Sequence, residues 1–518
     1  MTPTPRRTAR SAVGVLALSA LVAGGIAWAP TAASAATAAD PGMTVTGAYT
    51  SSSPAGSAAV TDTTTLSTDV LPTPQINGVV WSTAVVGTTA YAVGAFTAAR
   101  PSGSAAGQNS VTRNNAMAFD VRTGAILPWN PNLNAQGRAV EVSPDGATLY
   151  VGGDFSTVGG VAKGKIAAFT VSTGALTSFT ASVAGSVLGI SPTASTVYVV
   201  GSFSTASSKP RANAAAFAVG TGALTAWNPS ADNITHAVVA SPDGSRVVIG
   251  GRFQTVGGQP IVGIGAVDGS TGAVQPFEAK PISAQQGANR SWVTDMTLVD
   301  GVIYATGNGD GGHWFDGRFA ARFDTGALVW LDNCYGASYG TAVIGTVAYA
   351  VSHSHDCSSV GAFPEQSPSV WKRATANTIA ATGTDQSGPS VGSIYSGQAT
   401  PTQLPWYPNV NAGEYTKQFQ GGWALGTSST TSKYLVMGGE FTQVNGKGQQ
   451  GLATFATRDV APNKVAPIYS PMKPAGLSLA SGSVRVSFPT TWDYDDGTLT
   501  YKLFRDSGTT PIATQAAD

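Results

Sequence analysis

Short runs of apolar residues alternate with small and hydroxyl residues along most of the chain, and one such run recurs. Two degenerate copies, "VIYATGNG" (302–309) and "VAYAVSHS" (347–354), lie between the clear ones, so the run occurs seven times. A second phrase with a Thr-Gly pair follows most copies at a spacing of 48 to 54 residues. The clear copies of the first run are "AYAVGAF" ending at Phe96, "LYVGGDF" at Phe155, "VYVVGSF" at Phe203, "VVIGGRF" at Phe253 and "YLVMGGEF" at Phe441.

Each repeat predicts four short antiparallel strands. In one unit "AVEVS" reaches the turn "PDG" (144–146), the chain returns as "ATLYVGG", and "KIAAFTV" and "ALTSF" follow around a Thr-Gly turn. No helical period interrupts the pattern. Four strands per unit in seven units predict an all-β fold, a seven-bladed β-propeller; a β-solenoid is the alternative, but its rungs are shorter.

The glycine-rich phrase "VGGDFSTVGG" is interpreted as structural and not as a phosphate-binding loop. Such loops precede a helix whose N-terminus binds the phosphate, and no helical pattern follows this phrase. We expect Gly152 and Gly153 to permit close backbone approach and a bulge, and Phe155 to pack between blades.

The two ends of the repeat region predict how the ring closes. The seventh unit has three strands and no Thr-Gly phrase, whereas "TDVLPTPQINGVVWSTAVV" (68–86) aligns with residues 221–239 of a complete unit. A strand within residues 68–75 is therefore expected to form the outer strand of the last blade, which would remove an open edge. The propeller is assigned to residues 68–464.

The remaining segments have different patterns. Three arginines, an apolar run and "ASA" predict a signal peptide at residues 1–35, followed by a low-complexity segment at 36–67. The protein is therefore expected to be secreted, with no membrane span after cleavage and a net charge near −3. That charge disfavours nucleic-acid binding.

The two cysteines, Cys334 and Cys357, are expected to form a disulfide in an oxidising compartment; two separate buried thiols are the alternative.

Long loops are expected at one end of the ring only, where the second strand of a blade leads to the third. The segment 97–115 and an insertion from His353 to about Ser390 lie there, together with all four histidines and both cysteines. We therefore predict a ligand-binding face that includes His236, Asp310, His313, Trp314, His353, His355 and Asp356.

Imidazole and carboxylate groups on this face are suitable metal ligands. A calcium or zinc ion on Asp310, His313, His353 and His355 is one hypothesis; histidines that hydrogen-bond within a disulfide-tied loop are the other, and no cofactor is assigned with certainty. Asp493, Asp495 and Asp496 also have a spacing that suits calcium, but an Asp-Gly turn is the favoured interpretation. Aromatic residues near the long loops predict sugar stacking, with packing as the alternative: Trp314, Phe315, Trp371, Trp406, Tyr407 and Tyr415.

The phrases "VGGDFSTVGG", "AFDVRTGAILPWNP" and "SHSHDC" resemble the delta-60-type propellers of secreted multidomain actinobacterial proteins, over residues 68–464. Residues 465–518, with "VRVSF" and "YKLFRD", resemble about half of a fibronectin type III domain, a β-sandwich. The resemblance implies an extracellular or wall-associated binding or adhesion protein. We expect a monomeric propeller within a longer chain that binds a glycan or a protein through its long-loop end.

Two enzyme classes remain as alternatives. A glycoside hydrolase needs two carboxylates, and Asp154, Asp310, Asp316 and Glu440 are available. The phrase "AFDVRTGAILPW" also resembles the repeat of quinone-dependent dehydrogenases, although those enzymes commonly have eight blades and a ligand set that is absent here. No residue is assigned as catalytic, and a non-catalytic binding protein is the preferred prediction.

Overall fold

A computed structural model describes residues 65–282, 291–309, 314–386, 395–427, 433–468 and 472–517. The predicted signal peptide and nearly all of the low-complexity segment lie outside these ranges. Strands account for the regular structure of the described residues, apart from one 3-10 turn at Ser358–Val360. No helix within the described ranges has the length and apolar character needed to cross a membrane.

Seven antiparallel sheets of three or four strands make up most of the described chain. For each sheet, the strand named first below is called its first strand, and the sheets are numbered by the order of these strands along the chain. Sheet 7 also contains a strand from an earlier part of the chain. Sheet 1 contains Val79–Val86, Thr89–Ala95 and Ala116–Asp120; sheet 2 contains Gly137–Val142, Thr148–Gly153 and Ile166–Thr170; sheet 3 contains Val183–Pro192, Thr196–Ala206, Ala214–Ala218 and the short Lys209–Pro210. Sheet 4 contains Thr235–Ala240, Arg246–Gly251, Ile264–Asp268 and Val274–Gln275; sheet 5 contains Ser291–Val299, Val302–Gly309, Arg318–Arg322 and Leu328–Asp332. Sheet 6 contains Ser338–Ile344, Val347–Ser354, Lys372–Thr378 and Gln403–Leu404; sheet 7 contains Gly422–Gly426, Tyr434–Gly439, Leu452–Ala456 and Ser67–Leu71.

The tight turns within the sheets are those expected from the sequence. In sheet 2, Val142 pairs with Leu149 around the Pro-Asp-Gly turn, where Gly146 has φ 71° and Asp145 Oδ1 accepts a hydrogen bond from the Ala147 amide at 3.0 Å. Only glycine adopts this positive φ readily, so the turn residue and the strand register agree.

The fourth strand is shorter than expected in the first three sheets. In sheets 1, 2 and 3 it is reduced to a single bridge, such as that between Phe169 and Leu176. Local hydrogen bonds compete with the ladder, since the Thr177 and Thr225 hydroxyls accept from backbone amides two residues further on. In sheet 1 Pro128 has no amide hydrogen to donate.

The sheets follow one another in a cyclic order. The first strand of each sheet contacts the first strand of the next, and that of sheet 7 contacts that of sheet 1. Ser67–Leu71 pairs with Leu452–Ala456, so a strand from the beginning of the described chain is the outer strand of sheet 7. This strand starts at Ser67, and Gln75–Ile76 pairs instead with Ala98–Arg100. A ring of antiparallel meanders is a β-propeller.

The core consists of apolar clusters between neighbouring sheets. Phe155 is fully buried in a cluster that also contains Tyr91 of sheet 1 and Val151 of sheet 2, which confirms the packing role predicted for this residue. The prediction for Gly153 is also confirmed, because a Cβ there would lie 2.4 Å from the Gln136 carbonyl oxygen. The later glycines of the same phrase, Gly159 and Gly160, have φ of 54° and 84° and form the two-residue turn of a small hairpin, Thr157–Val158 with Val161–Ala162.

Small hairpins also lie between the second and third strands of other sheets, and two larger hairpins lie near the C-terminus. The small pairs are Thr255–Val256 with Gln259–Pro260, Gln443–Val444 with Lys447–Gly448, and Ala98–Arg100 with Val111–Thr112. The pair Gly383–Thr384 with Ala399–Thr400 lies instead between the third and fourth strands of sheet 6, so a long connection also occurs at the end of the ring where none was expected. The C-terminal pairs are Ala475–Ala480 with Ser483–Ser487 and Leu499–Leu503 with Ala513–Ala517. Apolar side chains of these last hairpins, such as Leu477 and Val484, are exposed.

Candidate binding site at the mouth of the central cavity

Each of the seven numbered sheets has a β-bulge in its first strand, which lies near the start of that strand in six sheets and in the middle of it in sheet 3. The register between first and second strands shifts by one residue there, which leaves one extra residue on the first strand. A bulge redirects a side chain. The extra residues all line a central cavity of about 940 Å³ enclosed by the first strands; they are Trp81, Arg138, Leu188, His236, Thr294, Tyr339 and Trp423. We call these seven residues the bulge ring.

One side of the bulge ring is aromatic. The ring centroids of Tyr339 and Trp423 are 4.3 Å apart, and those of Trp423 and Trp81 are 5.2 Å apart. Tyr415, from a loop before sheet 7, packs against Trp81 at 6.1 Å and keeps 55% of its surface exposed. Three adjoining sheets, 6, 7 and 1, thus present a continuous aromatic wall with an exposed outer edge.

Polar partners fix the orientation of the two indoles. Trp423 Nε1 donates to Glu440 Oε1 at 2.9 Å, and Trp81 Nε1 donates to Gln136 Oε1 at 2.9 Å. Gln136 in turn donates to Asp154 Oδ2 at 2.6 Å. Asp154 and Glu440 occupy the same position in the repeated phrase, so these carboxylates orient bulge-ring side chains.

Asp316 has a different role from the one required of a hydrolase carboxylate. Its two oxygens accept hydrogen bonds from the Gly309 and Gly336 amides, each at 3.0 Å, and the residue is 5% exposed. It connects loops of sheets 5 and 6. Asp310, the remaining carboxylate considered for hydrolysis, lies outside the described residues.

The other side of the mouth carries cations and His236. The Arg138 guanidinium lies 4.7 Å from the Trp81 ring centroid, and that of Arg252 lies 3.4 Å from the Trp292 ring centroid. Burial lowers the pKa of His236 to about 4, and the charges of Arg252 and Arg138 act in the same direction. His236 is therefore neutral at pH 7, and none of the described residues forms a hydrogen bond with its buried Nε2.

Two carboxyl groups lie deeper in the cavity. The Glu141 side chain is exposed to the cavity space, but the surrounding strands enclose that space, and this enclosure raises the pKa of Glu141 to about 7, with a smaller contribution from Asp295. Burial also raises the pKa of Asp295 to about 6. Asp295 Oδ2 accepts a hydrogen bond from the Thr341 amide at 3.0 Å and so links sheets 5 and 6, as Ser82 links sheets 1 and 2 through the Val140 amide.

The histidines of the predicted metal site have other hydrogen-bond partners. His353 Nδ1 pairs with Gln420 Oε1 at 3.0 Å, and burial lowers the pKa of His353. His355 Nδ1 pairs with Glu365, and Asp356 Oδ1 accepts from the Ser358 amide at 3.0 Å. Within the described ranges these three residues belong to no cluster of three metal-ligating groups. Asp310 and His313 fall outside those ranges, so the predicted metal site on this face stays a prediction.

The predicted disulfide between Cys334 and Cys357 is present, with an S–S distance of 2.07 Å. Next to the disulfide, Tyr335 and Asp356 form an antiparallel β-bridge between the same two segments. The disulfide therefore ties the start of the sheet 6 loop insertion to the segment that leaves sheet 5.

The sequence-based choice of exposed aromatic residues was partly wrong. Phe315 and Trp406 are fully buried in the core, because they fill space between sheets, whereas Trp371 and Tyr415 are 40% and 55% exposed. Trp314 and Tyr407 are partly buried. The aromatic residues of the bulge ring were missed, although an alignment of the first strands would have placed Trp81, Tyr339 and Trp423 at one repeat position.

No protein-family model and no curated protein matches this chain. Solved structures similar to it include the RRP9 WD40 repeats and U3-55K, each with 10% sequence identity and a TM-score of 0.46. The first comparison covers 75% of this chain and 99% of that structure, and the second covers 74% and 98%. A computationally designed protein, Ika8, is similar over 76% of this chain and 100% of its own, at 11% identity and a TM-score of 0.40.

Proposed function

We propose that this chain is a secreted, seven-bladed β-propeller that binds an extracellular glycan at the mouth of its central cavity. The observation that carries the proposal is the bulge ring, which places one side chain from each of the seven sheets around one opening, three of them aromatic and one cationic. Secretion rests on the pattern of residues 1–35 alone.

The aromatic wall supports a sugar ligand rather than a charged metabolite. Sugar rings have apolar C–H faces that pack on indole and phenol rings, and their hydroxyl groups need polar partners at the edge. Trp81 and Trp423 contribute indole rings to the wall, and the Arg138 guanidinium, which lies over the Trp81 ring 4.7 Å from its centroid, is a polar partner for hydroxyl groups. A second exposed pair, Trp371 and Phe419, stacks at 6.2 Å on the same loop face.

The position of the wall also supports an extended ligand. Gln418, next to Phe419, accepts a hydrogen bond from the Tyr339 hydroxyl at 3.4 Å, so the loop that carries Phe419 reaches the bulge ring. A chain of sugar units is therefore expected to run from the cavity mouth along this loop.

A glycan array and a cell-wall pull-down with the full chain test the proposal. Trp81→Ala and Tyr415→Ala should each weaken retention at least about tenfold, because aromatic anchors carry a large share of binding energy. Phe504→Ala is the matched control, since Phe504 is 45% exposed but lies in the C-terminal hairpins. Retention that is unchanged in both ring variants would refute the proposed site, and capture of protein without glycan would favour a protein ligand.

A glycoside hydrolase is the second candidate, favoured by Glu141 and Asp295. Glycoside hydrolysis uses one carboxyl group that is protonated and a second that is ionised. With pKa values of about 7 and about 6, Glu141 would supply the acid near neutral pH and Asp295 the carboxylate. A screen for reducing-sugar release with wild type and Glu141→Gln decides between the two functions. Release that Glu141→Gln abolishes supports the hydrolase, whereas binding without release supports the module.

A further inference from the structure

Three carboxylates meet where the C-terminal segment crosses the outer strand of sheet 7. Asp493, Asp495 and Asp496 each offer one oxygen, and these oxygens lie within 4.8 Å of one another. Asp493 is 4% exposed and Asp495 is fully buried. A short Asp-Gly turn, the interpretation favoured from sequence, would be expected at the surface and does not account for this burial.

Each of the two buried carboxylates has one oxygen that accepts no hydrogen bond from the residues the structure describes. These oxygens are Asp493 Oδ2 and Asp495 Oδ1. The other oxygens are engaged: Asp493 Oδ1 accepts from the Asp495 amide at 3.1 Å, and Asp495 Oδ2 accepts from the Thr68 amide at 2.5 Å and the Thr68 hydroxyl at 3.0 Å. A buried carboxylate oxygen without a donor or a cation is costly, so these two point to an additional partner.

The charge of the cluster is only partly neutralised by the protein. Arg458 Nη1 lies 2.5 Å from Asp496 Oδ1, and its Nη2 donates to the Asp495 carbonyl oxygen. Asn463 adds a neutral donor to Asp496 Oδ2 at 3.3 Å. Among the described contacts, one guanidinium therefore faces three carboxylates, which leaves two negative charges for a divalent cation.

We propose that Asp493, Asp495 and Asp496 bind a calcium ion that fastens the C-terminal segment to the closed ring. The donors are all oxygens, which calcium accepts in flexible numbers and geometry. Zinc is disfavoured because the cluster contains no histidine or cysteine. Magnesium demands a stricter octahedron and retains its waters, which a buried pair of carboxylates accommodates less well.

The ion would join three parts of the chain. Asp495 holds Thr68 of the strand that closes sheet 7, Arg458 follows the third strand of that sheet, and the aspartates precede the last hairpin. Calcium binding would thus support both the docking of the C-terminal segment and the closure of the ring.

A proton shared between Asp493 and Asp495 is the competing explanation. Burial raises the pKa of Asp493 to about 6, and the side chains of Asp495 and Asp496 act in the same direction. A shared proton needs no metal ion, whereas the proposed site should bind added calcium at about pH 7.5. The two explanations differ in their response to calcium at that pH.

The test measures calcium directly in the full chain at about pH 7.5. Equilibrium dialysis should find one calcium ion per chain at about 1 mM calcium, a range in which extracellular modules bind. Terbium, an oxygen-seeking substitute, should show luminescence sensitised by Trp492, which adjoins Asp493, and Trp492→Phe should reduce that emission without loss of calcium. Calcium should also slow proteolytic release of the C-terminal segment relative to EDTA.

Asp493→Asn should weaken calcium affinity at least tenfold, and Asp506→Asn is the matched control because Asp506 is an exposed carboxylate in the same segment. Absence of bound calcium and of sensitised emission in the wild-type chain would overturn the proposal, whether or not Asp493→Asn folds. So would equal calcium affinity in wild type and Asp493→Asn. Stabilisation by Asp493→Asn without any calcium response would favour the shared proton and would likewise overturn it.

Discussion

Glycines, which have no side-chain carbon, allow neighbouring sheets to pack closely. Glycines in second strands face a valine in the first strand of the next sheet, and a Cβ at those glycines would lie within 2.6 Å of a valine Cγ1. Such a distance is far inside van der Waals contact. The contacts are Gly152 with Val187, Gly250 with Val293, and Gly438 with Val80. The repeated glycine of the sequence phrase is therefore a packing residue.

Gly250→Ala should destabilise the protein by about 1–3 kcal/mol, because the added methyl group overpacks the contact with Val293. Urea unfolding measures the change. Gly448→Ala is the control: nothing lies within 4 Å of its Cβ position, so its stability should be close to wild type. Equal effects of the two substitutions would contradict the packing role, whereas rescue of Gly250→Ala by Val293→Ala would support it.

The raised pKa of Glu141 predicts a pH effect on stability. The folded protein holds this proton up to about pH 7 and the unfolded chain only to about 4.5, so the folded state loses stability as pH rises between these values. Glu141→Gln removes this loss. Its melting temperature should therefore exceed that of wild type at about pH 8 and match it at about pH 4. Asp295 is present in both proteins, and its own titration cancels. A constant difference at all pH values would contradict the assignment.

At the scale of elements, sheet 5 depends on an ion pair inside the protein. Arg318, in the third strand, places Nη2 2.5 Å from Asp332 Oδ2 at the end of the fourth strand, and the two side chains are 5% and 0% exposed. Asn377 of sheet 6 donates to the same Asp332 oxygen at 2.5 Å. The pair thus joins two strands of one sheet to the neighbouring sheet.

Asp332→Ala should reduce the free energy of unfolding by about 3–5 kcal/mol, because it leaves the Arg318 charge buried without its partner. Asp324→Ala removes an ion pair with Arg322 that is exposed to solvent, and should cost less than about 1 kcal/mol. Chemical denaturation of both variants gives the comparison. A small effect of Asp332→Ala would show that water or another group replaces the carboxylate.

For the whole molecule, the closing strand is the element on which the ring depends. Ser67–Leu71 completes sheet 7, and the Leu66 amide donates to the Tyr349 hydroxyl of sheet 6 at 2.9 Å. Leu66 and Ile76 are 1% and 0% exposed. Their burial alone contributes about 3–6 kcal/mol.

A chain that begins at Gly78 should therefore melt far below the full chain or aggregate, since it leaves Leu452–Ala456 as an open edge. A chain that begins at Thr65 retains the strand and should melt like the full protein. Calorimetry and light scattering of the two truncations test this prediction. Equal melting temperatures would mean that closure by this strand contributes little.

Much of the fold could be predicted from the sequence, because each repeat is specified by residues that lie close together along the chain. The alternation of apolar residues, the Pro-Asp-Gly turn at 144–146 and the Thr-Gly turns specify strands and connections without distant contacts. The disulfide followed from there being only one pair of cysteines. The fourth strands were predicted too long, because hydroxyl groups such as that of Thr177 compete for the same amides.

The sites were harder to predict, and the reason is physical. A bulge depends on the register between two strands, so the sequence alone did not single out Trp81 or Trp423 as residues that line the cavity, although it did include His236 in the binding face. Burial likewise depends on neighbours far along the chain. The sequence around Asp495 predicts a turn at the surface. Only the tertiary structure shows that Thr68, more than four hundred positions earlier, contacts this carboxylate.

By itself, then, the sequence determined the repeat, the strands, the turns and the cysteine pairing, since each depends on residues close together or on a unique partner. Only the tertiary structure determined which side chains lie together at the cavity mouth and which carboxylates are buried away from solvent. Those properties arise only when seven sheets close into a ring and bring distant residues into contact.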